Sequence, residues 1–167
     1  MSDELKYIIF ESKMGWVGIL ASWKGLLSIA LPQPSAEETG LQLGEQVNQA
    51  IWSPELFADL VLRLQAYFSG RQVSFPDELD LSAATPFQRE VWAATRLIPY
   101  GETRSYRWVA EQTKRPKAMR AVGQALGKNP LPIVVPCHRV ITSGGKLGGF
   151  RGGLTMKEHL LRQESSH

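Results

Sequence analysis

Cys137 is the only cysteine in this 167-residue chain, and His138 and Arg139 follow it directly in "IVVPCHRVI". A thiol becomes a strong nucleophile as the thiolate, and an imidazole or a cation beside it favours that form. The residue types at 137–139 are therefore those of a covalent acceptor with its base alongside. The run "PIVVP" reads as a buried strand ending at Pro136, so Cys137 is expected at a strand end, partly exposed, rather than in mid-core. The same apolar surroundings also suit an unreactive packing thiol, since free cysteine is among the most buried residue types.

A second chemical group stands in the last helical pattern, "TMKEHLLRQE". Met156, Leu160 and Glu164 recur there at i, i+4 and i+8, which places a carboxylate on or beside the core-facing stripe. A carboxylate in that position needs a partner. A Glu164–His138–Cys137 relay would use it to orient the imidazole; the other reading is the exposed end of a fraying helix.

The elements that must carry these groups follow from periodicity. "SYRWVAEQT", a "KRP" turn and "KAMRAVGQALGKNP" read as two short helices joined tightly, a helix-turn-helix pattern. On the second helix Met119, Val122 and Leu126 share one side, with Gly123 at its edge. Lys117, Arg120, Ala121, Gln124 and Lys128 share the other. That outer face is basic and slim, helped by Gly123, Ala125 and Gly127, and it suits a nucleic-acid groove; close helix packing is the alternative. Upstream, "TPFQREVWAATRLIPYG" opens with a capping box, Thr85 and Gln88 around Pro86, and sets Phe87, Val91 and Ile98 on one face.

The first third differs in kind. "KYIIFES" (6–12), "GWVGILAS" (15–22) and "GLLSIAL" (25–31) read as the strands of a meander. After a polar stretch, "SPELFADLVLRLQAYFSG" reads as a helix capped by Ser53 with Pro54 in its first position, which should pack on the sheet. Residues 71–84 read as a strand plus linker, so the expected division is an α/β domain over 1–80 and a mostly helical domain over 84–167.

At 43% hydrophobic and 21% charged the chain is globular. Its net charge of +3 is unevenly spread. Residues 1–83 hold 5 Lys and Arg against 11 Asp and Glu, net −6, and residues 84–167 hold 14 against 5, net +9. A basic half beside an acidic half is the footprint of a polyanion-binding module joined to something else. One cysteine cannot form an internal disulfide, and with His138, His159 and His167 it makes no zinc spacing, so neither metal nor cofactor is expected. No signal or spanning segment is evident, and the expectation is a soluble cytoplasmic protein with no membrane partner.

The blocks "TPFQREVW", "IPYGETRSY", "KAMRAVGQALGKNPLPIVVPCHRVI", "GGFRGGL" and "KEHLLRQE", in unbroken order over 84–164, resemble the O6-alkylguanine-DNA alkyltransferases, also called methylated-DNA-protein-cysteine methyltransferases. "NPxPIVVPCHRV" is the most specific of them. The resemblance implies a ribonuclease-H-like α/β N-terminal domain and a helical C-terminal domain with a helix-turn-helix. It places the alkyl acceptor on Cys137, the water-mediated base on His138, the orienting carboxylate on Glu164 and the brace of the active-site turn on Asn129.

It further assigns to Tyr106 the rotation of the target phosphate and assistance to the leaving guanine, and to Arg120 the filling of the gap left by a flipped base. Pro132, Phe150, Gly152, Gly153 and Lys157 fall in the pocket region. Phe150 stands where many members have Tyr, so a hydroxyl hydrogen bond to the base is missing there. The implied partner is double-stranded DNA bearing O6-alkylguanine, and O4-alkylthymine besides, bound from the minor groove by a monomer and repaired in one irreversible transfer. Two rival classes are a DNA-binding sensor or regulator, whose alkyltransferase-like members lack the acceptor cysteine, and a thiol hydrolase. In most hydrolase dyads the base comes from elsewhere in the chain than the residue next to the nucleophile.

Overall fold

The computed structural model describes residues 4–166, so His167 lies outside the described residues. The chain divides into two compact units, one ending at Asp80 and one beginning at Leu81. The described residues form six α-helices and two small sheets, a mixed α/β architecture.

In the first unit β1 (Lys6–Ser12), β2 (Gly15–Ser22) and β3 (Gly25–Gln33) form an antiparallel meander, and β4 (Ile51–Trp52) adds in parallel to β1, giving the order β3-β2-β1-β4. Alternation sends Tyr7 and Ile9 to one face, where they pack with Leu20, Ala30 and Leu43. Leu43 belongs to α1 (Ala36–Leu43), which forms in the stretch that the sequence presents only as polar. Ser35 caps it, accepting from the amide of Glu38 at 3.1 Å. This helix sits so close to β2 that a Cβ on Gly18 would lie 2.8 Å from both Leu43 and Thr39.

The second helix, α2 (Ala58–Phe68), starts four residues later than its sequence pattern implies. Ser53 does not cap it: its hydroxyl donates back to the Ile51 carbonyl at 2.9 Å, and the first helical residue is preceded by Phe57, which makes no side-chain cap. Leu60, Leu64, Tyr67 and Phe68 are its buried stripe. Residues 71–79 form no strand; their regular pairing is a single bridge between Leu26 and Leu79.

The second unit is mostly helical. In α3 (Pro86–Thr95) both halves of the Thr85–Gln88 capping box are made, and Val91 and Ile98 are buried, with Phe87 half-buried. The indole of Trp92 donates to the Ala125 carbonyl at 2.9 Å, tying α3 to α5 (Met119–Gly127). Between them lie β5 (Arg104–Ser105) and α4 (Tyr106–Gln112). β5 pairs in parallel with β6 (Val140–Ile141), and α6 (Leu154–Ser165) closes the chain. On α5 the buried side chains are Val122, Ala125 and Leu126. Met119, expected with them, stands 38% exposed, because the stripe narrows at the helix start.

Candidate active site

The segment from α5 to β6 turns sharply twice, and one side chain holds both turns. Asn129 accepts from the Leu131 amide at 2.9 Å through Oδ1. Its Nδ2 donates to the Val135 carbonyl at 2.9 Å and to Cys137 Sγ at 3.1 Å. Both amide hydrogens and the oxygen are thus used, as burial requires. The "PIVVP" run is therefore not a strand. Pro132 and Val135 form an isolated bridge around a tight turn, with Ile133 at φ 77°, a region that costs a β-branched residue about 1–3 kcal/mol. The run is apolar because the turn is buried, and Cys137 follows in a 3-10 turn, Cys137–Arg139, only 7% exposed.

The β5–β6 ladder brings a second element to the thiol. Ser105 caps α4 by accepting from the Trp108 amide at 3.0 Å, which puts Tyr106 in the first helical position. Tyr106, Leu126, Cys137, Phe150 and Arg151 line one small cavity of about 40 Å³, space for about a single water. Gly148, at φ 70°, lies so close to Tyr106 that a Cβ there would stand 2.6 Å from the phenol oxygen.

Lys157 is completely buried on α6. Its ammonium donates to the carbonyls of Val140 at 2.7 Å, Gly149 at 3.0 Å and Leu147, pinning the loop that carries Gly148 and Phe150. Burial pushes the Lys157 ammonium down to about 8 while a thiolate at Cys137 pulls it up. Burial likewise raises the Cys137 thiol, against the Asn129 hydrogen bond and the Lys157 charge. The resting sulfur is thus a protonated thiol.

The imidazole next in sequence is held by a buried ion network. His138 Nε2 and Glu164 Oε2 are 2.7 Å apart, both side chains almost fully enclosed. Arg139 donates to the two oxygens of the same carboxylate, from Nε to Oε1 at 2.8 Å and from Nη2 to Oε2 at 3.1 Å, and to the Ile98 carbonyl at 2.8 Å. Burial alone would raise the Glu164 carboxyl, but the hydrogen bonds and charges of His138 and Arg139 hold it well below the usual carboxylate range. Glu164 is therefore a carboxylate, and the hydrogen between it and His138 sits on Nε2. Burial lowers the His138 imidazole despite Glu164, so the ring is neutral at neutral pH, with its basic lone pair on Nδ1.

The expected residues separate into groups. Cys137, Asn129, Tyr106 and Phe150 converge on the thiol, and His138 and Glu164 are paired behind it; Glu164, 2% exposed, is not a fraying end. Pro132 belongs to the tight turn, Lys157 lies behind the loop, and Gly152 and Gly153 are exposed, so these four are absent from the cavity wall. Lys117, Arg120, Gln124 and Lys128 are exposed and Ala121 half-exposed. Arg120 borders a shallow groove of about 490 Å³ with Tyr106, Met119 and Gly123.

Arg139, next but one to the thiol in sequence, is turned to Glu164, and the cation bearing on the sulfur is Lys157. A charged residue inside an apolar run demands a buried counter-charge, and Glu164 was the one carboxylate assigned to an apolar stripe. Among the described residues no group of His, Cys, Asp and Glu could hold a metal ion, and no helix is long and apolar enough to cross a membrane.

A cysteine thiol braced by an amide, next in sequence to a neutral imidazole held by a carboxylate, has the groups of a nucleophilic cysteine protein, and comparison with known proteins narrows that class. Residues 86–166 match the family described as 6-O-methylguanine DNA methyltransferase, DNA binding domain. The methylated-DNA–protein-cysteine methyltransferase of Mycolicibacterium paratuberculosis is 49% identical over 86% of this chain and 88% of its own length. That of Methanosarcina acetivorans is 41% identical over 96% and 98%. The crystal structure of Mycobacterium tuberculosis OGT in complex with DNA superposes with a TM-score of 0.79 at 41% identity, covering 96% of this chain and 93% of that one. The chain belongs to the methylated-DNA–protein-cysteine methyltransferase family and is an enzyme of that type.

Proposed function

We propose that this protein repairs O6-alkylguanine, and O4-alkylthymine, in double-stranded DNA by moving the alkyl group irreversibly to Cys137. The observation that carries the proposal is the thiol held by Asn129 next in sequence to an imidazole whose Nε2 is committed to Glu164. His138 Nδ1 takes the thiol proton through a water, and Sγ attacks the saturated carbon on O6. The S–C bond forms as the C–O6 bond breaks, its electron pair leaves on guanine, and Tyr106 donates a proton to that leaving base. Lys157 and the Asn129 amide steady the sulfur's charge meanwhile.

A cavity with room for about one water holds no purine. Admission of a base flipped from the stack requires the segment carrying Gly148 to Arg151 to move away from Tyr106. The second unit supplies the DNA contacts on this reading. α4 and α5 act as a helix-turn-helix entering the minor groove, Lys117, Ala121, Gln124 and Lys128 line the phosphates, and Arg120 fills the vacated stack. Phe150 packs on the base without a hydroxyl bond. The first unit is a ribonuclease-H-like support, the protein works as a cytoplasmic monomer, and the domain boundary along the chain falls in the 80–84 segment.

A thioether has no hydrolytic exit and no second cysteine can take the group over, so each molecule reacts once. The test mixes limiting protein with excess O6-methylguanine duplex and reads intact mass and lesion loss. One added methylene on the Cys137 peptide, with a plateau equal to the active protein concentration, is expected; continued turnover after the burst would place the protein among thiol hydrolases.

A further inference from the structure

Glu164 faces a crowded set of groups: His138 and Arg139 on the 3-10 turn, the Gly101 amide at 3.3 Å, and Tyr100, whose ring lies 5.6 Å from the Arg139 guanidinium. Lys157 adds a positive charge that bears on His138. A buried carboxylate whose main partner is an imidazole is balanced most simply by protonating that imidazole, because the enclosed pair then carries no net charge. Such an imidazolium would be useless as a base. Here the balance is made by a different residue. Arg139 grips both oxygens of Glu164 in a fork and is itself buried, so carboxylate and guanidinium cancel before the imidazole is counted.

We propose that Arg139 is a positioning residue that neutralises Glu164, so that the carboxylate orients His138 without turning it into an imidazolium. The assignment rests on the alkyl-transfer reading for its consequence, and on the geometry alone for its effect on the imidazole. Orientation and protonation, which a lone carboxylate would impose together, are thereby separated. The Nε2–H···Oε2 bond fixes the ring and its tautomer, and the guanidinium removes the charge that would otherwise hold a proton on Nδ1. The signs agree with this division: Glu164 raises the His138 imidazole and Arg139 lowers it.

The experiment compares the full-length parent with Arg139→Gln and Arg139→Lys. The His138 charge is followed by ¹⁵N chemical shifts of the ring across pH, and alkyl transfer to Cys137 across the same range. For Arg139→Gln the imidazole titration, and with it the acid limb of the rate profile, should move to higher pH by about one to two pH units. Transfer at pH 7 should fall about threefold or more and recover at higher pH. Arg139→Lys keeps the charge and loses the fork, so its titration should stay near that of the parent.

A folded Arg139→Gln protein whose imidazole titrates as in the parent would overturn the assignment and leave Arg139 a structural bolt. So would a rate lowered equally at all pH values. If Arg139→Gln does not fold, an Arg139→Lys imidazole charged at neutral pH overturns it too. Absence of transfer in the parent would sink the proposed function alone, since the ring titration needs no substrate.

Discussion

Asn129 and Cys137 lie eight positions apart, and the amide of the first donates to the sulfur of the second at 3.1 Å while its other hydrogen holds the Val135 carbonyl at 2.9 Å. One side chain therefore couples the shape of the turn to the chemistry of the thiol. Asn129→Ala should lose about 1–3 kcal/mol of stability, through the Val135 carbonyl and Leu131 amide left behind. The thiol, already raised by burial, should rise further. Urea unfolding checks the first effect, and the pH dependence of iodoacetamide labelling of Cys137 the second; labelling that follows the parent curve would show that the bond to sulfur has no electrostatic weight.

Glu164 gives stability a defined pH dependence. Its folded carboxyl lies well below the unfolded value of 4.5, so its contribution is fully present above that value and is lost progressively as pH falls below it toward the folded value. Glu164→Gln removes this dependence and leaves Arg139 buried without its counter-charge, at a cost of about 3–5 kcal/mol at pH 7. Denaturation midpoints measured from pH 7 to pH 3 should fall less steeply for the variant. Parallel curves would mean that Glu164 is not the group responsible.

Lys157 secures the loop in front of the thiol through three carbonyl oxygens. Lys157→Met fills similar volume and donates nothing, so amide exchange across residues 142–153 should quicken about tenfold or more, while exchange in α3 changes little. Hydrogen–deuterium exchange read by mass spectrometry checks this. Unchanged protection of the loop would mean that the fold, rather than the ammonium, holds it closed.

Arg120 stands exposed at the edge of the groove beside Met119 and Gly123. Arg120→Ala should slow transfer from a lesion in duplex by about tenfold, roughly 1.4 kcal/mol, and leave reaction with free O6-benzylguanine nearly unchanged, because a plug for the base stack matters only where a stack exists. Duplex affinity should also fall steeply with added salt, given the net +9 of residues 84–167. Equal losses on the two substrates, or affinity indifferent to salt, would remove Arg120 and its basic neighbours from the interface.

Legibility in the sequence followed the range of the interactions. The capping box at Thr85 and Gln88 and the place of Glu164 on its stripe are local patterns, and both are found as read. The turn at 132–136 reads as a strand because burial makes either conformation apolar, and its three β-branched residues, Ile133, Val134 and Val135, favour extended backbone, whereas Ile133 takes a positive φ. The α2 start was displaced because Ser53 found a nearer carbonyl than the helix offered. Arg139 carries no assigned partner in the sequence for a similar reason: its charge is met by a helix 25 positions on, which adjacency to Cys137 does not reveal. Helix α1 was hidden in a polar stretch whose buried residues are only Thr39 and Leu43.

The narrowness of the space around Cys137 sets the fate of the molecule after it has acted. About 40 Å³ is shared by sulfur, phenol and phenyl groups, and a thioether has no S–H to donate and occupies more of that space than the thiol it replaces. A methyl left on Sγ takes up the space of about one water, whereas a longer group overpacks that wall by about 1–3 kcal/mol and grows more disruptive with its length. On the alkyl-transfer reading, a spent copy is thus softer than a fresh one. Proteases that sample open chains would clear used copies first, so the protein's service record is written into its susceptibility to degradation.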